Sequence, residues 1–218
     1  MTLRSENNIN PTPLPLKKNR ETVVLLHGYA LGRWAMWPLS WWLKWRGFDT
    51  VVWSYWSLSL PIAVHGDRFA QYLKKLEDAG LSYSIVAHSM GSIITRVALM
   101  QGSFSGLRRV VFLAPPNHGL PIARLAPWIL KRFSPPLREL SDASDSYVNS
   151  LPQASCKSTN GTDIGVIAAK YDLIIPIAST RLDGSETYTA LPATHNSLLI
   201  SITAAKCVDS FLAYGKFH

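Results

Sequence analysis

The stretch Ser84-Ile85-Val86-Ala87-His88-Ser89-Met90-Gly91-Ser92-Ile93-Ile94 constrains this chain more than any other. A β-branched apolar run stops at a serine set among small residues, and a helical pattern starts at once. A strand that turns sharply into a helix with serine at the apex is the geometry of a nucleophile elbow. The turn strains the serine backbone, so the residues two before and two after it must be small; here they are Ala87 and Gly91. The hydroxyl is lifted above the sheet, beside a helix N-terminus that stabilises negative charge. A short Gly/Ser turn also suits an ordinary strand-to-helix connection. The rest of the chain must therefore supply what a nucleophilic serine needs.

The flanking segments repeat the same rhythm. Residues 21–27 (Glu-Thr-Val-Val-Leu-Leu-His) form a nearly continuous apolar run, as in a strand buried on both faces of a parallel sheet. Trp34, Trp37, Trp41, Trp42 and Trp45 then recur at helical spacing, and Gly47 is a natural stop. Residues 49–55 read as a strand, 68–76 as a helix, and 82–100 as the elbow strand with its helix. Residues 108–114 and 163–169 read as two more strands, 186–191 as the weakest, and 196–214 as the last helix. Apolar runs alternating with helical patterns predict a doubly wound α/β sheet. Residues 120–152 break the rhythm: a helical piece over 122–133, then Pro135-Pro136 and a Ser/Asp-rich stretch. Arg124, Lys131, Arg132 and Arg138 are basic, and no acidic residue lies between Arg124 and Arg138. This segment is expected to be a lid-like insertion over the site, with a plain crossover helix as the alternative.

Composition narrows the class. Of the 218 residues, 47% are hydrophobic and 17% charged, so the chain has enough apolar material for one folded domain over residues 21–218. Residues 1–20 are polar and proline-dotted and read as a flexible arm without a signal peptide. The formal charge of +8 suits anionic membranes or acidic ligands, but no nucleic-acid signature accompanies it. Cys156 and Cys207 lack metal-ligand spacing and fit reduced thiols in a cytoplasmic protein, with one disulfide left open. No apolar run is long enough to span a bilayer. A monomer without metal or cofactor is expected.

A serine needs a base, and the base needs an orienting acid. In an open α/β sheet such groups gather at the carboxyl ends of strands. Asp172 follows the strand over 163–169, and His195 follows the strand over 186–191. The order Ser89, Asp172, His195 is that of one hydrolase superfamily and of neither major protease template. Asp142, Asp145, Asp163 and Asp183 are the substitute acids, and none holds the strand-end position as well. Among histidines, His27 is expected to shape the loop after the first strand, His88 is locked in the elbow, His65 begins a helix, and His218 is terminal. His118, in Pro115-Pro116-Asn117-His118-Gly119, is the rival to His195. An oxyanion hole needs two preorganised N–H groups, assigned to Met90 after the nucleophile and to Tyr29 after His27-Gly28.

With these residues in view, the sequence resembles the α/β-hydrolase superfamily, in particular its small bacterial lipases and esterases. Ala87-His88-Ser89-Met90-Gly91 matches the elbow variant in which alanine replaces the first glycine of G-x-S-x-G. His27-Gly28-Tyr29 matches the HG-type oxyanion loop, and Leu113-Ala114-Pro115-Pro116-Asn117-His118-Gly119 resembles a segment frequent in lipase-like members. Asp172 before Ile175-Pro176 and His195 near the end match the acid and base positions. The resemblance covers residues 21–217 and implies a metal-independent serine hydrolase of carboxylic esters or lipids. Thioesterase, lactonase, amidase and acyltransferase activities share the same machinery, and a non-catalytic binding protein of this fold is the rival class. No strand pair precedes the oxyanion strand, so a reduced sheet of roughly six strands, mostly parallel with helices on both faces, is expected.

Gly28, His27, His88 and His118 are expected to line the substrate site, with Trp56 and Trp53 nearer an acyl pocket. The tryptophan-rich helix most simply packs on the sheet. Five tryptophans between residues 34 and 45 span more than one face, however, so at least one should be exposed. Lys44, Arg46, Lys131 and Arg132 would then flank an aromatic patch suited to peripheral contact with an anionic membrane.

Overall fold

The computed structural model describes residues 20–152, 162–182 and 187–218. The expectations for residues 1–19, Cys156, Asp183 and Glu186 lie outside these. Six strands form one sheet: β1 (Thr22–Leu26), β2 (Asp49–Trp53), β3 (Tyr83–His88), β4 (Leu107–Leu113), β5 (Asp163–Ala169) and β6 (Thr187–Leu191). All neighbours pair in parallel, in the order β2-β1-β3-β4-β5-β6. The expected six-stranded α/β sheet is thus present, and it is parallel throughout.

Side chains alternate across a strand, and here both faces are covered. Val24 and Leu26 enter one core with Ile85, Ala87, Val110 and Phe112, beneath α2 (Ile62–Asp78) and α3 (Met90–Leu99). Val23 and Leu25 enter the other with Val86, Val111 and Ile167, beneath α1 (Trp37–Trp45) and α8 (Ile202–Tyr214). The two burial surfaces explain why these strands read as unbroken apolar runs. Gly66 lets α2 approach α3 closely, because a Cβ there would lie 2.3 Å from Val97 Cγ1. Ser201 caps α8 by accepting from the Ala204 N–H at 3.2 Å, and Gly215 ends that helix at φ 73°.

Three helix boundaries differ from the sequence reading. A 3₁₀ turn, Arg33–Met36, precedes α1. The second helix begins at Ile62 behind Pro61, so His65 lies within its first turns and does not begin it. The last helix begins at Ile202, after a separate 3₁₀ turn at Ser197–Leu199.

The insertion is also subdivided. The helix anticipated over 122–133 is two, α4 (Pro121–Leu125) and α5 (Trp128–Phe133), separated at Ala126-Pro127. Pro135-Pro136 opens α6 (Pro135–Glu139), where missing N–H groups cost nothing, and α7 (Tyr147–Ser150) follows. Ala123, Leu137, Leu140, Val148 and Leu151 tie the segment into the α2/α3 core. Among the described residues, no helix is long and apolar enough to cross a membrane. Cys207 is a buried free thiol near the His218 carbonyl.

Candidate active site

Everything at this site hangs from the carboxyl edge of the sheet. Ser89 sits between β3 and α3 with φ 52° and ψ −124°, the strained backbone that an elbow requires. Its N–H donates to the Leu113 carbonyl at 2.9 Å, and Ser92 Oγ donates to the Ala87 carbonyl at 3.0 Å. Gly91 has no room for a side chain: a Cβ would lie 2.7 Å from the His27 carbonyl oxygen. A Cβ on Gly28 would lie 2.9 Å from Ser89 Cβ. The loop after β1 and the turn at Ser89 are therefore pressed together, and both glycines are needed for it.

The expected base and acid meet the serine. His195, on the loop after β6, directs Nε2 to Ser89 Oγ at 3.1 Å and Nδ1 to Asp172 Oδ2 at 2.8 Å. A carboxylate only accepts, so Nδ1 carries the proton and Nε2 is left to accept from the serine hydroxyl. Asp172 Oδ1 accepts from the Ile174 and Ile175 N–H groups at 2.8 and 2.9 Å. Burial alone would raise the Asp172 pKa. The hydrogen bonds from His195 and from those two N–H groups, with the attraction of the His195 ring, outweigh it and hold the carboxyl below its ordinary range. Two of the substitute acids are paired elsewhere. Asp142 pairs with Arg124 at 3.5 Å and Asp163 with Arg109 at 3.4 Å.

The backbone N–H groups of Tyr29 and Met90 donate to no acceptor among the described residues. Met90 is the first residue of α3, where no intrahelical partner exists. Tyr29 reaches the insertion instead through its hydroxyl, 2.9 Å from Ser134 Oγ.

Two histidines assigned to substrate contact turn out to be sealed inside. His88 is fully buried, its Nε2 donating to the His195 carbonyl at 3.2 Å and its ring 4.7 Å from the His195 ring. Burial and the neighbouring His195 push its pKa down to about 3, so it is a neutral ring packed behind His195. His27 is fully buried and stacks on Tyr55 at 4.4 Å and 4°, while the Tyr55 hydroxyl donates to the His27 carbonyl at 2.5 Å. Burial lowers the His27 pKa as well.

Trp53 is a further correction. It is fully buried against Phe69 and Tyr55 in the α2 core, not in an acyl pocket. Trp56 by contrast is exposed at the carboxyl edge.

The His118 N–H donates to the Ser179 carbonyl at 3.1 Å, which ties the loop after β4 to the 3₁₀ turn Ile177–Thr180. Beside it, Asn117 Nδ2 donates to the Thr180 carbonyl at 3.0 Å. Asn117 Oδ1 accepts from Arg96 Nη1 at 3.2 Å, and Arg96 Nη2 donates to the Pro152 carbonyl at 3.2 Å. This buried arginine clamps the loop after β4 to the end of the insertion, and the sequence reading missed it. Its signal was a lone cation in the apolar run Ile93-Ile94-Thr95-Arg96-Val97-Ala98.

A parallel sheet of this strand order, with Ser89, His195 and Asp172 converging on its carboxyl edge, has the α/β-hydrolase fold. Solved structures agree. The mature form of a Bacillus licheniformis lipase superposes with a TM-score of 0.70 at 16% identity, over 93% of this chain and 95% of that one. Aspergillus fumigatus lipase B gives 0.73 at 16% identity over 93% of this chain, which spans 55% of its length. A metagenomic carboxyl esterase gives 0.62 at 17% identity, over 89% of this chain and 70% of that one. The sequence matches no described protein family and no curated protein.

Proposed function

We propose that this chain is a serine hydrolase of carboxylic esters with an apolar acyl group. The observation that carries this reading is the continuous hydrogen-bond line from Ser89 Oγ through His195 to Asp172 at 3.1 and 2.8 Å. His195 Nε2 takes the hydroxyl proton as Ser89 Oγ attacks the acyl carbon, and Asp172 stabilises the imidazolium that forms. The carbonyl oxygen gains negative charge, which the Tyr29 and Met90 N–H groups bind. His195 returns the proton to the alkoxide leaving group, producing an acyl-enzyme and an alcohol. Water, deprotonated by His195, then releases the carboxylic acid and restores Ser89.

The acyl preference rests on the rim. The segments that follow β2, β4 and β5 expose Trp56 and Leu58, Leu125 and Phe133 on the insertion helices α4 and α5, and Leu173 and Ile177. Apolar side chains on three segments that leave the carboxyl edge of the sheet favour an apolar acyl chain over a charged one. The lipase and esterase names of the superposing structures are in keeping with this. Hydrolysis of p-nitrophenyl esters of increasing chain length is the test. Turnover should be measurable and drop by about 10⁶ in Ser89→Ala, with kcat/KM rising from acetate to octanoate. Undiminished turnover in the alanine variant would remove Ser89 from the chemistry, and a preference for acetate would remove the apolar site.

A further inference from the structure

The helix α1 carries two apolar stripes, and only one faces the sheet. Met36, Leu39 and Leu43 are buried in the core shared with α8. Trp37, Trp41 and Trp45, four residues apart and hence on one face of α1, stand 59, 71 and 66% exposed, and Trp34 on the preceding 3₁₀ turn stands 59% exposed. Trp42 alone packs partly onto that core. The beginning of α8 extends the aromatic face with Ile200 and Ile202, also exposed, and a groove lined by Pro38, Trp41, Trp42, Leu199 and Ile202 joins the two helices. Single exposed hydrophobic residues are ordinary, but four exposed tryptophans within twelve residues, with Ile200 and Ile202 sharing a groove with Trp41, mark a docking surface.

We propose that this face docks on an anionic lipid bilayer. Charge selects that occupant. Arg33, Lys44 and Lys206 are exposed on the same two segments, while Arg46 is paired with Asp209 at 2.8 Å. The sequence has no acidic residue between Glu21 and Asp49, nor between Glu186 and Asp209. A rim of cations around an indole-rich surface complements negative headgroups above an apolar interior. Indole suits that boundary because it presents a large apolar body and one N–H donor. A second copy of this chain is a poorer occupant, since pairing two such faces opposes like charge on molecules of net charge +8. Lys131 and Arg132, expected to flank the aromatic patch, belong to α5 beside α6 and take no part in it.

The surface is continuous with the candidate site. Helix α1 follows the loop that holds Gly28 and Tyr29, and Ile200 lies five residues beyond His195. The Trp34 and Trp37 end of the patch therefore follows directly on that loop, and Trp45 lies at the far end. Docking through it would bring that edge close to membrane-borne acyl esters, a consequence that rests on the proposed hydrolase activity. The docking itself does not.

Co-sedimentation with phosphatidylcholine vesicles, with and without phosphatidylglycerol, tests it in the protein as it stands. Binding should require phosphatidylglycerol and weaken as salt is raised. It should fall by about tenfold or more in the double variant Trp37→Ser, Trp41→Ser. Lys44→Gln with Lys206→Gln should lower anionic binding by a similar factor. Circular dichroism reports whether the variants fold, and a short soluble ester reports the chemistry separately. Loss of ester turnover with vesicle binding intact would strike the hydrolase reading alone. No vesicle binding at low salt, or binding that ignores the tryptophan variant, would overturn docking through this face. So would a dimer in light scattering that the tryptophan variant makes monomeric and that binds no lipid.

Discussion

The buried histidines make the fold itself acid-sensitive. His65 is fully buried in α2 against Tyr55, with ring centroids 4.8 Å apart. Burial, with Arg68 nearby, pushes its pKa from 6.5 down to about 4. Burial pushes that of His88 down to about 3. Below about pH 6.5 the unfolded chain thus binds two protons that the folded chain refuses. Stability must rise with pH through this window and be lost as pH falls from 6.5 towards the folded values. Between pH 8 and pH 5 each histidine removes about 2 kcal/mol, together about 4 kcal/mol. That is a large share of a typical total of about 5–15 kcal/mol. His27 is lowered too and adds in the same direction. Guanidinium unfolding followed by tryptophan fluorescence at pH 8, 6.5 and 5 should show the midpoint falling steeply across the lower interval. Replacing His65 with leucine should remove about one proton from the pH slope of the unfolding free energy. An equal midpoint at pH 8 and pH 5 would mean that neither imidazole is held neutral, and the reasoning would fail.

Other outcomes follow from the site. Asp172→Asn should leave the fold intact but lower kcat by about 10⁴, because an amide cannot accept from His195 Nδ1–H while its own NH₂ faces the ring. Steady-state ester hydrolysis checks this, and a drop of less than about tenfold would show that the carboxylate does not orient the base. His118→Ala should retain most of the turnover that His195→Ala abolishes, since the structure holds the His118 loop through main-chain and Asn117 contacts. Reversal of that ranking in the same assay would exchange their roles.

The sheet was legible because strands covered on both faces leave unbroken apolar runs, as in Thr22–Leu26 and Leu107–Leu113. The site was legible because the elbow demands small residues at fixed offsets, and because Asp172 and His195 each follow a strand. What stayed hidden depends on contacts distant in sequence. The first turns of α2 contain Gly66, a weak helix former that is kept where Val97 leaves no space for a Cβ. Across the 3₁₀ turn and α1 the buried Met36, Leu39, Leu43 stripe and the exposed tryptophan stripe share one period, so spacing alone did not decide which side meets the sheet. Trp53, next to a strand end in sequence, lies in the core because β2 directs it onto Phe69. The clamp by Arg96 joins α3 to residues 117, 151 and 152, a relation that no local pattern encodes.

The central claim is that Ser89 is a nucleophile activated by His195. Intact-mass analysis after brief exposure to a fluorophosphonate tests it most directly, because the probe bonds to an activated serine without requiring knowledge of the natural ester. The account predicts a single adduct that peptide mapping places on Ser89, absent in Ser89→Ala and slowed by orders of magnitude in His195→Ala. No adduct on the folded wild-type protein, or an adduct on another serine that persists in Ser89→Ala, would contradict it.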